Sequence, residues 1–196
     1  MLDVRAQAVL DVWFGAPDSA EFGHARKAWF KKDATFDAML RERFGALIEE
    51  ALESQLASWS ETPLGAVALI VLLDQFTRNC FRNTPRAFAG DDEALRLARM
   101  LVKTGHERTL PTIHHRVFAY MPFEHDETLA SQREAVRLFQ ALFDETNDKD
   151  VEDFLHYARR HADVIERFGR FPHRNVILGR ETTAEEHVWL KKKGGF

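Results

Sequence analysis

The chain reads as a succession of apolar stripes that recur every three or four positions, separated by short stretches carrying Gly, Pro, Asp or Thr. Val4, Ala8, Val9, Val12 and Trp13 form the first stripe, with Asp3 placed to cap it and Gly15 to stop it. Residues 15–23 then read as a loop. After the short segment Ala28-Trp29-Phe30, Asp33 or Thr35 opens a long helix whose Phe36, Leu40, Phe44, Leu47, Ile48, Ala51 and Leu52 share one face. Thr62 followed by Pro63 is a cap and first-turn pair, and Leu64 to Leu73 beyond it is apolar nearly all round, which predicts a central buried helix.

The same grammar continues to the end. Thr84-Pro85 predicts a short turn, and Asp91 or Asp92 starts a helix with Leu95, Ala98, Leu101 and Val102 that stops at Gly105. A short helix is predicted over 111–121, ended by Pro122, with Asp126 then capping one that bears Leu129, Gln132, Val136, Phe139 and Phe143. Asp148 or Asp150 opens the next, which runs to Gly169. Thr183 with Glu186 three residues on is a capping box for the last helix, expected to end before Gly194. No sustained period-two run and no Asn-Gly or Asp-Gly hairpin signal interrupts this order. The reading is an all-α fold, antiparallel helices joined by short loops in a single domain over residues 1–196.

Composition narrows the class without naming a reaction. The 196 residues are 45% hydrophobic and 30% charged, with 16 Phe and 4 Trp, as expected of a globular chain with a large core. A net charge of -4, with no basic arm or stripe unopposed by acids, argues against general nucleic-acid binding. The N-terminus is too polar for a signal peptide and the longest apolar run, Ala66 to Leu73, is far short of a membrane span. Cys80 is the one cysteine, so no internal disulfide and no thiolate metal site can form, and a cytoplasmic location is expected.

Three polar stretches exceed what folding needs. The first continues the buried helix: Asp74, Arg78 and Arg82 extend the stripe of Val67, Ile70 and Val71 at i, i+4, i+8, with Gln75 and Asn79 beside them. Asp before Arg at i+4 is the favourable order for an ion pair. The second is Tyr120 with Glu124-His125-Asp126-Glu127, at the break made by Pro122. The third is the bend RFGRFPHRNVILGR over 167–180, where Arg170, His173, Arg174, Asn175 and Arg180 crowd together. Arginine suits bidentate recognition of carboxylate or phosphate, so these stretches read as three walls of an anion-binding site. The same guanidiniums would equally serve to tie carboxylates and helix ends together. On the helix before the bend, at about 100° per residue, His161 falls in the middle of the apolar face of Val151, Phe154, Ala158, Ile165 and Phe168. Buried there, it requires a partner such as a carboxylate or carbonyl. Metal-ligand spacings such as HExxH are absent, so no metal and no cofactor are expected, and Cys80 reads as packing.

Four segments, VLDVWFG, LLDQFTRNCFR, YMPFEHDE and RFGRFPHRNVILGR followed by TTAEE, resemble in order and spacing the bacterial domain-of-unknown-function family numbered 924, from about Val9 to Phe196. Where that family usually has Ser after the histidine of the third segment, this chain has Asp126. The resemblance implies an all-helical, tetratricopeptide-like superhelix. It implies no activity and carries over no catalytic residue.

Three functional readings follow. The first is a binding module whose polar pocket takes an anionic small molecule or a peptide carboxylate. The second is an enzyme, such as a hydrolase, with His125, His161 or His173 as general base. The third is a structural polar core behind a protein-docking surface.

Overall fold

Asp3 accepts the Arg5 N–H at 2.8 Å and so opens the first helix, α1 (Val4–Phe14), which Gly15 closes at a φ of 85°. Asp33 caps α2 (Ala34–Leu52) in the same way, accepting from the N–H groups of Thr35 and Phe36. The computed structural model describes residues 2–193, and every regular element among them is helical. The remaining helices are α3 (Pro63–Ile70), α4 (Thr77–Cys80), α5 (Asp91–Thr104), α6 (Ile113–His125), α7 (Leu129–Thr146), α8 (Lys149–Phe168) and α9 (Ala184–Lys193). The end of the last helix expected at Gly194 lies outside the described residues.

The described chain gathers into two units. The first takes the chain up to Arg82 and Arg86–Pro122; the second takes Asn83–Pro85 and everything from Phe123 onward. In the first, every residue from Gly65 to Thr77 is buried, so the helix expected to be central is so. It is not α-helical throughout: α3 passes into a π-helical turn, Val71–Phe76, before α4 begins. Two glycines permit close packing around it. A Cβ on Gly65 would sit 2.1 Å from the Trp59 carbonyl oxygen, and one on Gly90 would sit 2.4 Å from that of Leu73 in the π turn. Trp13 of α1 meets Phe76 and Phe118 edge-on at ring centroids 5.7 and 5.4 Å apart.

In the second unit α7 and α8 pack against each other, joined through Asn147 and Asp148, with the rings of Phe139 and Phe154 stacked at 6.2 Å. Val164, Ile165, Phe171 and Trp189 form an apolar cluster that Leu129, Phe168 and Leu190 flank. Asp148 is the residue that caps α8, and Gly169 ends it in the left-handed region at φ 67°.

Two boundaries differ from the sequence reading. Pro122 does not end α6, which continues to His125. Pro122 lacks only the N–H that would serve the carbonyl four residues back, so the helix runs on past it, and the buried amide of Gln132 donates to the carbonyls of Glu124 and Asp126, at and just beyond the helix end, at 2.7 and 2.6 Å. The cap of α7 is Thr128, not Asp126: Thr128 accepts the Ser131 N–H, while the Asp126 carboxylate accepts the Thr128 hydroxyl. No helix among the described residues is long and apolar enough to cross a membrane.

Candidate functional site

The first polar stretch lies in the first unit and is saturated with internal partners. Asp74, fully buried in the π turn, receives Arg78 at 3.0 Å and the amide of Gln75. Arg78 also spans both oxygens of Asp91 at 2.7 and 3.0 Å and lies over the Phe88 ring. Arg82 and Asn79 turn the other way, onto Asp37 of α2, at 2.6, 3.0 and 2.7 Å. Burial raises the pKa of Asp37, and the bonds from Arg82 and Asn79 together with the nearby Arg82 and Arg41 charges outweigh it, so the carboxyl is held below its ordinary value. Tyr120 is buried in this unit on α6. Cys80 is buried, its thiol pushed up to about 11 by desolvation, which leaves it without thiolate character. Away from these residues, a surface depression of about 400 Å³ opens between Glu21, His24, Arg26 and Lys27.

The second and third stretches come together in the second unit. Glu127, just past the end of α6, is gripped by Arg180 at 2.5 and 3.0 Å and accepts the Phe171 N–H at 2.8 Å, and these bonds lower its pKa. Arg180 reaches further, donating to the Asn175 side chain and the Phe171 carbonyl. Glu186, two per cent exposed in the first turn of α9, takes Arg170 at 2.7 and 2.9 Å, Asn175 at 3.2 Å and the Thr183 N–H at 2.7 Å. Glu186 N–H returns to the Thr183 hydroxyl, completing the capping box expected from the sequence. The Arg170 pair pulls the Glu186 carboxyl down to about 2. Arg167 pairs with Glu185. The bend is thus stapled to the start of α7 and the start of α9.

Inside that frame, nitrogen-bearing side chains surround the fully buried ring of Phe171. The Arg174 guanidinium, itself buried, stacks on it at 4.6 Å; the imidazoles of His161 and His173 approach to 5.4 and 5.7 Å. His161 has the partners a half-buried imidazole requires: its Nδ1 lies 2.9 Å from both Glu124 Oε1 and the Tyr157 carbonyl oxygen. Both are acceptors, so Nδ1 carries a proton. The other oxygen of Glu124 is buried without a hydrogen-bond partner. His173 is driven the opposite way from a salt-bridged histidine: burial, then the charges of Arg174, His161 and His125, push its pKa down to about 4 against the pull of Glu127. Among the described residues no three or more His, Cys, Asp or Glu gather to hold a metal ion.

A family model described as bacterial protein of unknown function (DUF924) matches residues 9–194. The chain belongs to this family. Among solved structures, the chain is similar to the protein of unknown function ATU0120 from Agrobacterium tumefaciens, 39% identical, with a TM-score of 0.81 over 96% of this chain and 97% of that one. No curated protein matches this DUF924 chain. The family therefore accounts for the fold and leaves the assignment of the site to its own geometry.

Sequence reasoning overlooked the acidic half of these networks. Glu186 is legible in the sequence only as a capping-box residue and Glu127 only as one of a polar stretch, although each holds an arginine of the bend. Asp37 carried a usable signal, since it lies three and seven positions before Leu40 and Phe44 on the buried face of α2.

Proposed function

We propose that this protein is a binding module whose second unit takes an anionic small molecule or a peptide carboxylate at the cluster of His161, His173 and Arg174 around Phe171, with His125 within electrostatic range. The observation that carries the reading is the gathering of three nitrogen-bearing side chains on one buried ring, inside a frame whose Arg170 and Arg180 are already matched by Glu186 and Glu127. Asp74, Gln75, Arg78, Asn79 and Arg82 belong in this reading as struts of the first unit. The tetratricopeptide-like arrangement implied by the family resemblance is the reason a peptide carboxylate stays in the ligand class. A reducing, cytoplasmic setting agrees with the single cysteine.

The test is thermal unfolding with sulfate, phosphate and short peptides added at millimolar concentration. A ligand at 100 times its Kd stabilises the folded state by about 2.7 kcal/mol, a shift expected for the unaltered protein and lost in Arg174→Ala. If no anion shifts the transition, the reading fails.

A second reading, hydrolytic chemistry with His161 as general base, is favoured by one feature. Glu124 and the Tyr157 carbonyl hold the Nδ1 proton, which in the neutral ring leaves Nε2 as the proton acceptor, with Glu124 as positioning residue. Turnover of activated esters that disappears in His161→Gln while the fold persists is the result it requires.

A further inference from the structure

We infer, resting on the anion-binding reading above, that ligand uptake at the Phe171 cluster is coupled to the uptake of one proton by His173, so that affinity rises as the pH falls. His173 sits in the short turn Pro172–Arg174, part-buried, with its ring tilted against Phe171. The next residue, Arg174, places a permanent positive charge on the same ring. His161 on α8 and His125 at the end of α6 add further nitrogen-bearing groups, and Glu127 is the acid that faces His173 in return. Glu127 is itself held by both terminal nitrogens of Arg180, so much of its charge is already answered.

The free cluster therefore has positive charge enough, and a second cation at His173 is opposed by its neighbours and by desolvation. With its pKa down to about 4, the imidazole is neutral at pH 7. A bound carboxylate, sulfate or phosphate reverses that balance, because an opposite charge within about 4–6 Å raises a histidine pKa by about 1–3 units. His173 then takes a proton from solvent and becomes a second donor to the ligand, beside Arg174. Protonation on binding is the sole chemical step: one N–H bond forms on the imidazole and the buffer gives up the proton.

The measurement is titration calorimetry of the whole protein with sulfate and with a short peptide carboxylate, both of which stay ionised between pH 5 and 8, in two buffers of different ionisation enthalpy. Expected are binding heats that differ between the buffers by the equivalent of up to one proton near pH 6, and an affinity that falls up to about tenfold per pH unit between the free and the bound midpoints of His173 and levels off above the latter. His173→Gln is expected to bind more weakly and with buffer-independent heat. The ring C–H resonance of His173 in the unaltered protein gives a second readout that needs no variant: its midpoint should move up by at least one pH unit on adding sulfate. Binding with buffer-independent heat and an unmoved His173 midpoint overturns the coupling alone. Proton uptake that persists in His173→Gln also overturns it, by assigning the proton elsewhere. No binding of either probe overturns the anion reading and the coupling together.

Discussion

Glu127 and Arg180, 53 positions apart in the chain, are joined by two hydrogen bonds of 2.5 and 3.0 Å, and the same carboxylate holds the N–H of Phe171. One acid at the start of α7 thereby fixes both ends of the bend that carries His173 and Arg174. The arginines that make this segment conspicuous thus fall into two kinds. Arg170 and Arg180 are fastened to acids of their own unit, and Arg174 places its guanidinium 4.6 Å over the Phe171 ring.

Removing Glu127 should loosen the bend. Glu127→Ala deletes a charge-assisted pair and leaves a backbone N–H unserved, at a cost of about 2–3 kcal/mol. Urea unfolding should show that loss, and the Arg174→Ala variant should lose less.

Acid should undo the Glu186 hub. Its carboxyl lies near 2 in the folded protein against an ordinary value of 4.5, so between those values the unfolded chain binds a proton that the folded chain does not. The stability from this group is complete above pH 4.5 and drains away as the pH falls towards 2. Glu186→Gln should be less stable at neutral pH yet show a flatter decline across that window, measured by chemical unfolding at a series of pH values.

His115 predicts an earlier acid effect in the first unit. Its ring is stacked on Phe14 at 3.9 Å, and burial pushes its pKa from 6.5 down to about 3. The unfolded chain gains the proton first, so stability present above pH 6.5 declines below it. Replacing His115 with Phe should remove this contribution to the slope between pH 6.5 and 3.

Arg78 neutralises an acid that has no access to water. Arg78→Met removes the cation that pairs with fully buried Asp74 at 3.0 Å and should cost about 3–5 kcal/mol, the penalty of breaking a buried ion pair from one side. Asp91→Asn, which spares Asp74, should cost markedly less. The two melting temperatures separate these outcomes.

Glycine substitutions should have opposite signs. Gly45 lies within α2 with open space where a Cβ would go, so Gly45→Ala should stabilise by about 0.5–1 kcal/mol. Gly90→Ala would drive a methyl into the Leu73 carbonyl and should destabilise by about 1–3 kcal/mol or more.

Most of the fold was legible because it is local. Asp3, Asp33, Thr62, Asp148 and the Thr183–Glu186 box all start helices where the sequence places them, since a cap acts on N–H groups two or three residues away. Pro122 misled because it lacks only one N–H and the helix runs on past it; the amide that serves the carbonyls at the helix end comes from Gln132, a residue whose relevance depends on how α7 packs. The π turn left no mark either: Val71 to Phe76 has the composition of any buried helix, and nothing in that run of residues distinguishes a widened turn from an α-helical one.

What the sequence by itself determined is the all-helical class, the helix starts and the excess of donors in the bend, all properties of neighbours along the chain. Only the tertiary structure decided which of those donors are spent. Arginine reads the same in sequence whether it meets a carboxylate or a ring. The partners Asp91, Glu186, Asp37 and Glu127 lie 13 to 53 positions away from the arginines they hold, and folding alone brings opposite charges that far apart in sequence to within 3 Å.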